Sequence, residues 1–299
     1  FDERRYFEPG RECPVYVING VSVGINVCED IWYEVGPTEV QCVAGAELII
    51  NINGSPYHAG KLDFREQMLA ARAAHNRAFV SYTNMVGGQD ELVFDGGGLV
   101  LDPHGQPVVK GCQFEEEMVV VDLDMGVVAD ARREGPLRQP KRPNELAQVG
   151  TSSVVRVSDY RDPGQRPELP KHRHTALPPL EEVYAALVMG TRDYVRKNDF
   201  QKALIGLSGG IDSSLTAVVA VEALGKENVV GVSMPSRYSS EGSIVDARLL
   251  AENLGIELQV IALEQAFGAY LDMLEPQFRG TQPGVAEENL QARIRGNIL

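Results

Sequence analysis

The sequence predicts an α/β protein in two successive halves. Three observations carry the prediction. Short apolar runs alternate with helical periodicity in both halves, the alternation fails between about residues 130 and 178, and it then resumes as strand, helix, strand, helix, strand. That last order requires crossover connections, hence right-handed βαβ units and a parallel sheet. At 299 residues the chain is long enough for two domains with ordinary cores.

The first half opens with VYVINGVSVGINV (15–27), two β runs joined by Asn19-Gly20, the strongest short hairpin signal a sequence offers. ELIININ (47–53) is another strand, and KLDFREQMLAARAAHNRA (61–78) sets Leu62, Met68, Leu69 and Ala73 at helical spacing. Strand-like FVSYTNMV (79–86), a Gly-rich turn within VFDGGGLVLDPHGQPV (93–108) and an alternating strand, EMVVVDLD (117–124), complete a first domain set at residues 1–130. RREGPLRQPKRPNEL and SDYRDPGQRPELPKHRHTALPPL are rich in Pro and charge, so 131–178 reads as an interdomain linker.

The second domain, 179–299, starts with the helix LEEVYAALVMGTRDYVRKN (180–198). KALIGLS (202–208) is a buried strand, and IDSSLTAVVAVEALG (211–225) is a helix with Asp212 to Ser214 in its first turn and Gly225 at its end. NVVGVSMPS (228–236) is a strand. SIVDARLLAENLG (243–255) is a helix with Ile244, Ala247, Ala251 and Leu254 on one stripe, and IELQVIAL (256–263) is the next strand. A ligand is expected at the carboxyl ends of these strands, where the LSGGIDSS and MPSRYSS loops emerge.

The formal net charge of −14 argues against a broad nucleic-acid surface, which needs a basic stripe. No apolar run reaches the ~18 residues of a membrane span and no signal-peptide pattern opens the chain. Cys13, Cys28, Cys42 and Cys112 show neither a C-x-x-C pair nor zinc spacing, which fits reduced thiols and a cytoplasmic location. His172 and His174 fall in PKHRHT, a solvated linker rather than a metal site. The chain opens at Phe1 without a Met and closes at Leu299 within a helix-like pattern, so it is read as a fragment truncated at both ends.

The string LSGGIDSS carries the first chemistry. A strand entering S-G-G at a helix N-terminus offers unpaired N–H groups and the positive end of a helix dipole. Gly209 and Gly210 allow close approach to an anion, and Ser208, Ser213 and Ser214 add hydroxyls. The lysine of the common G-x-x-x-x-G-K-[ST] loop is missing. Asp212 either caps the helix start or, with phosphate nearby, holds Mg²⁺ between the two anions. The string resembles the pyrophosphate loop of the ATP pyrophosphatase superfamily, whose members split ATP between its α- and β-phosphates and adenylate a substrate oxygen. The resemblance implies an adenine-nucleotide α-hydrolase-like (Rossmann-like) sheet. It also implies ATP contacts at Gly206, Leu207, Ser208, Gly209, Gly210, Ile211, Asp212 and Ser213, with Mg²⁺ at Asp212.

GINVCEDIW carries the second. Cys28 closes a β run just before Glu29 and Asp30; from the residues alone it is either a buried strand cysteine or a nucleophile on a tight turn. Two neighbouring carboxylates raise a thiol's pKa, so a nucleophile here needs a compensating cation or base. With NGSPYHAGKLDFREQML downstream, the segment resembles the amidase domain of the nitrilase superfamily, here the C-terminal part of its α/β sandwich. That resemblance makes Cys28 the nucleophile of a Glu-Lys-Cys set and matches Ser55 and Lys61 to glutamine-contacting positions. It puts the partner Glu and Lys before FDERRYFEPG, and leaves Glu3 without an assigned role.

A nitrilase-type amidase ahead of this loop resembles the glutamine-dependent NAD synthetase family. MPSRYSSEGSIVDARLLAENLGI and EENLQARIRGN agree, with Asn289 at the position matched to deamido-NAD and Ala286 where the family pattern has Thr. Arg237, Arg293 and Arg295 offer charge for phosphates, and Met234 and Pro235 end a strand where an adenine could lie. The resemblance implies conversion of deamido-NAD to NAD with ATP, Mg²⁺ and glutamine, through an adenylate, in a homo-oligomer with no membrane or nucleic-acid partner. The family's further synthetase segments follow beyond Leu299, so the 299 residues alone are expected to lack both activities. The competing readings are a tRNA-modifying relative, disfavoured because residues 179–299 contain no Cys, and a non-catalytic nucleotide-binding module.

Overall fold

A computed structural model of the chain describes residues 5–135, 143–162, 164, 167–169, 174–280 and 284–299. The chain divides into two compact units, Phe1–Ala186 and Leu187–Leu299. Glu3 and His172 lie outside the described residues.

The first unit is built on a seven-stranded mixed sheet. Strands β1 (Val15–Ile18) and β2 (Val21–Val27) pair antiparallel with Ile18 opposite Val21, so Asn19 and Gly20 form the two-residue turn. Their φ values of 50° and 84° are the two left-handed conformations that the Asn-Gly dipeptide tolerates best. Helix α1 (Pro37–Val43) leads to β3 (Leu48–Asn53), and α2 (Lys61–Asn76) crosses over to β4 (Phe79–Asn84). Strands β5 (Val86–Gln89) and β6 (Leu92–Asp95) make a separate hairpin, then β7 (Leu99–Leu101) and β8 (Pro107–Lys110) return to the main sheet. Its order is β8-β7-β4-β3-β2-β1-β9, with β2, β3 and β4 mutually parallel at the centre. All three central strands therefore end at the same edge, and the chemistry gathers there. Ile31, Leu69, Ala73 and Val80 are sealed from solvent between α2 and the sheet.

Two sequence expectations change here. EMVVVDLD keeps its alternation: Met118, Val120 and Asp122 are exposed while Val119, Val121 and Leu123 are half-buried. Yet it belongs to no ladder among the described residues, because an extended run becomes a strand only when another strand's amides meet it. After α3 (Gly126–Glu134) and α4 (Pro143–Val149), β9 (Val154–Arg156) pairs parallel with β1, within the stretch assigned to the linker. Only three residues long and flanked by Pro-rich sequence, it shows no period from which to read it.

Helix α5 (Pro179–Lys197) runs from the first unit into the second. In the second unit β10 (Ala203–Gly206), α6 (Ile211–Leu224), β11 (Val229–Ser233), α7 (Glu241–Leu254) and β12 (Glu257–Val260) follow in the expected order. The strands form a parallel sheet, β10-β11-β12. Ala217, Ala220, Ala247 and Ala251 are buried where α6 and α7 meet each other and the sheet; small side chains permit that close approach. Helices α8 (Glu264–Leu274) and α9 (Val285–Ile298) complete the unit, with Phe267, Leu263 and Ile294 in a second apolar cluster.

Candidate active sites

The first site is assembled at the carboxyl ends of β2, β3 and β4. Cys28 follows β2 directly, opens a single 3-10 turn (Cys28–Ile31) and has φ of 50°. A side chain in that left-handed region costs about 1–2 kcal/mol, so packing and hydrogen bonds must hold it there. The turn is capped from within: the Val27 N–H donates to Asp30 Oδ2 at 2.9 Å, and the Trp32 N–H to the Glu29 carbonyl at 2.9 Å. One of the two carboxylates flanking the thiol is thereby committed to the turn.

Ser55 follows β3 and is buried. Its N–H donates to Asn84 Oδ1 at 2.9 Å, and Asn84 Nδ2 donates back to the Ser55 carbonyl at 3.2 Å. Asn84 Nδ2 also reaches Asp95 Oδ1 at 3.3 Å. Asp95 in turn accepts two hydrogen bonds from Arg65, at 3.1 and 2.7 Å, and both side chains of this ion pair are almost wholly buried. Arg65 lies one helical turn after Lys61 on α2, so the two cations share a face.

Lys61 is the first residue of α2. Its ammonium donates to the Pro56 carbonyl at 2.7 Å and lies 5.6 Å from the centre of the Trp32 ring. Burial, and then the positive charge of Arg65, push its pKa below that of an ordinary lysine; Asp95 and Cys28 act in the opposite sense. Lys61 is thus in electrostatic reach of Cys28, a cation of the kind a thiol beside two carboxylates needs. The structure brings Cys28, Ser55 and Lys61 to one sheet edge.

The second site lies at the carboxyl ends of β10 and β11. In the loop 207–210, Ser208 Oγ accepts from the Gly210 N–H at 3.2 Å and lies 3.1 Å from Ser213 Oγ. Gly209 has φ of 80°, and a Cβ there would sit 2.4 Å from the Ser243 carbonyl oxygen, so the position admits glycine alone on two counts. Asp212 is exposed in the first turn of α6, and no side chain caps that helix, so the capping reading of Asp212 finds no support. No cluster of three or more His, Cys, Asp or Glu able to hold a metal occurs among the described residues. A Mg²⁺ at Asp212 would therefore take its remaining oxygens from phosphate and water, the usual habit of that ion.

A cavity of ≈ 360 Å³ opens beside this loop, lined by Gly206, Leu207, Ser208, Met234, Pro235 and Arg295. Arg295 reaches it from α9 with two guanidinium nitrogens 3.4 Å from the Met234 carbonyl. The other predicted contacts are not brought there. Arg237 is paired with Glu264 and lies 5.6 Å from the Phe267 ring centre. Asn289, Arg293 and Ala286 line a separate ≈ 480 Å³ groove with Leu271 and Phe278 of the α8–α9 region. Arg293 and Arg295 stand two residues apart, about 200° around a helix, so one helix cannot aim both at the same cavity.

The chain matches two family profiles, carbon-nitrogen hydrolase over residues 1–133 and NAD synthase over 183–299. It is 48% identical to the glutamine-dependent NAD(+) synthetase of Thermotoga maritima and 47% identical to that of Aquifex aeolicus, along its whole length in both cases. It spans 51% and 52% of those proteins, about half the length of the curated relatives it matches. The glutamine-dependent NAD+ synthetase of Acinetobacter baumannii, solved with ADP, superposes on all of this chain and 49% of its own, with a TM-score of 0.81 at 32% identity. This chain joins a carbon-nitrogen hydrolase family segment to an NAD synthase family segment. Its first unit has the nitrilase-like α/β fold and its second the parallel-sheet NAD synthase fold.

Sequence reasoning missed Arg65, Asn84 and Asp95, the buried scaffold behind Ser55. A signal existed for Arg65. It falls on the buried stripe Leu62-Arg65-Leu69-Ala73, where a charge is kept only with a partner. Gln291 was missed too; it is buried on α9, and its Oε1 accepts from Ser236 Oγ at 2.7 Å.

Proposed function

We propose that this chain contributes the cysteine nucleophile and the ATP loop to the glutaminase and adenylating chemistry of a glutamine-dependent NAD synthetase, residues 1–130 serving the first, 179–299 the second, and 131–178 joining them. The observation that carries the reading is the conjunction, in one chain, of a cysteine held at positive φ on a strand end with an S-G-G-I-D-S loop at the mouth of a parallel sheet. In this reading the Cys28 thiolate attacks the glutamine carboxamide carbon, and collapse of the adduct leaves a thioester and ammonia; water then releases glutamate. Ser55 and Lys61 hold the glutamine. At the second site the loop amides of residues 208–213 grip the β- and γ-phosphates of ATP while the nicotinate carboxylate of deamido-NAD attacks the α-phosphate. Pyrophosphate leaves, and ammonia displaces AMP from the adenylate to give the amide. Asp212 would hold Mg²⁺, which neutralises phosphate charge when bound. Asn289 is assigned to deamido-NAD and the active form to a homo-oligomer. No helix among the described residues is long and apolar enough to cross a membrane.

The test uses the protein at the full length its gene encodes, with ATP, Mg²⁺ and deamido-NAD, and follows NAD formation from glutamine or from ammonium chloride. Cys28→Ala should abolish the glutamine-driven reaction and leave the ammonium-driven one. Absence of NAD from either nitrogen source with the unsubstituted protein would refute the substrate assignment.

A further inference from the structure

Behind the Cys28 turn lies a continuous chain of buried amide side chains that the chemistry above does not use. It starts on α1. Gln41 Nε2 donates to the backbone carbonyls of Ile25 (2.9 Å) and Pro14 (3.3 Å), which fixes the orientation of its amide. Its Oε1, with Thr38 Oγ1, accepts from Asn26 Nδ2, at 3.2 and 2.9 Å. Asn26 Oδ1 then accepts from Asn51 Nδ2 at 2.7 Å, and the same Nδ2 group reaches the carbonyl oxygen of Cys28 at 3.4 Å. Asn51 Oδ1 is held from the other side by Asn53 Nδ2 at 2.6 Å, which also reaches the Asn51 carbonyl at 3.1 Å and the Thr83 carbonyl on β4 at 3.2 Å. Every member from Thr38 to Asn53 is buried, and Asn51 is fully sealed.

The polarity of the chain is consistent throughout. Each N–H meets an oxygen, so no amide can flip without setting oxygen against oxygen. Five polar side chains inside one apolar unit are costly to bury unless satisfied; here their amide N–H groups all find acceptors while Asn53 Oδ1 has none, and an all-apolar core would do for stability alone. What this chain does that apolar packing could not is hold backbone carbonyls by hydrogen bonds, and one of them, reached by Asn51, is that of Cys28 in the turn whose φ is 50°.

We propose that Asn51 is a positioning residue for the Cys28 nucleophile: clamped between Asn26 and Asn53, it fixes the Cys28 carbonyl and with it the direction of the thiol. This rests on the reading of Cys28 as the glutaminase nucleophile. Asn51 touches no substrate; it acts through the main chain of Cys28.

The test measures glutamate release, ammonium-driven NAD formation and alkylation of Cys28 by iodoacetamide in the full-length protein. Asn51→Asp changes no volume but sets carboxylate oxygens against Asn26 Oδ1 and the Cys28 carbonyl. Because a misplacement on the order of 1 Å costs about 100-fold in rate, the glutamine kcat should fall by about that factor with KM nearly unchanged. Alkylation by a small reagent makes no such geometric demand, so its rate should stay within about threefold, as should ammonium-driven synthesis. Alkylation is read on the Cys28 peptide by mass spectrometry, because Cys112 is also a half-buried free thiol, whereas burial pushes that of Cys42 up to about 12. Should Asn51→Asp fail to fold, Thr38→Val removes one acceptor at the far end of the chain and should lower kcat by about threefold at constant KM. If kcat per alkylatable Cys28 is unchanged in the variants while only melting temperature falls, Asn51 is structural and the proposal is overturned. If Cys28→Ala itself keeps the glutamine-driven reaction, the underlying reading fails instead, and the proposal with it.

Discussion

The two sites of this chain solve opposite problems with opposite materials. Around Cys28 the supporting groups are interior side chains. The Arg65–Asp95 pair, Asn84 and the asparagines of β2 and β3 are buried and arrive from helix α2 and several strands. Around Ser208–Ser214 the support is local and wet, with hydroxyls bonded to backbone of the same loop and an Asp212 carboxylate facing solvent. A thiol that must meet one carbon needs a single atom fixed in space, and only a packed interior fixes it. A phosphate is gripped by several backbone amides at once, so a glycine turn and a helix end suffice. The lesson is that breaking the buried ion pair behind the first site should appear as stability, and damage to the exposed loop of the second as function.

The largest expected effect tests the first half of that statement. Arg65→Leu removes the cation and leaves Asp95 with a buried, uncompensated charge. Breaking a pair of this kind costs about 3–5 kcal/mol, a large share of a domain's stability. Chemical denaturation of the full-length protein should show that loss. An equal loss of glutaminase rate with no change in the unfolding midpoint would mean the pair serves chemistry rather than the fold.

The second prediction reverses the signature. Asp212→Asn lies on an exposed helix turn and should leave the unfolding midpoint within about 0.5 kcal/mol. If Asp212 holds Mg²⁺ against the phosphates, ammonium-driven NAD synthesis should nevertheless fall about 100-fold, and the Mg²⁺ concentration for half-maximal rate should rise. A variant with wild-type Mg²⁺ dependence would remove Asp212 from the metal assignment and leave it an ordinary surface carboxylate.

The same contrast explains what the sequence discloses. The SGGIDSS loop, the Asn-Gly hairpin and the strand-helix order of the second unit are written in contiguous residues, and each is legible as a string. Cys28, Ser55 and Lys61 are legible as well, through two short segments of family resemblance. Arg65 and Asp95 are thirty residues apart and belong to a helix and a hairpin, so no local period links them. The asparagine chain is spread over three elements in the same way. Asn289 shows the converse limit. Its string resembles a deamido-NAD-binding segment, but which groove it lines depends on the rotation of α9, and a motif does not encode that. Residues 117–124 alternate like a strand but join no ladder among the described residues, and ladder pairing is a property of tertiary structure.

The smallest effect is expected at Ser214, and the reason is redundancy. The carbonyl of Gly210 accepts from the Ser214 N–H at 3.1 Å, from Ser213 Oγ at 2.9 Å and from Ser214 Oγ at 2.9 Å. Three donors converge on one oxygen, and the Ser214 hydroxyl directs its hydrogen at that oxygen rather than at a ligand. Removing it by Ser214→Ala leaves the carbonyl satisfied and exposes no buried donor, so the loss should stay below about 1 kcal/mol. The KM for ATP should move by less than about threefold, whereas Gly209→Ala in the same assay carries both a forbidden φ and a collision with Ser243. A tenfold rise in KM for Ser214→Ala would instead mean that its hydroxyl turns toward phosphate when ATP binds. The loop would then be organised by its ligand and not in advance, and the contrast with the preassembled cysteine site would be sharper still.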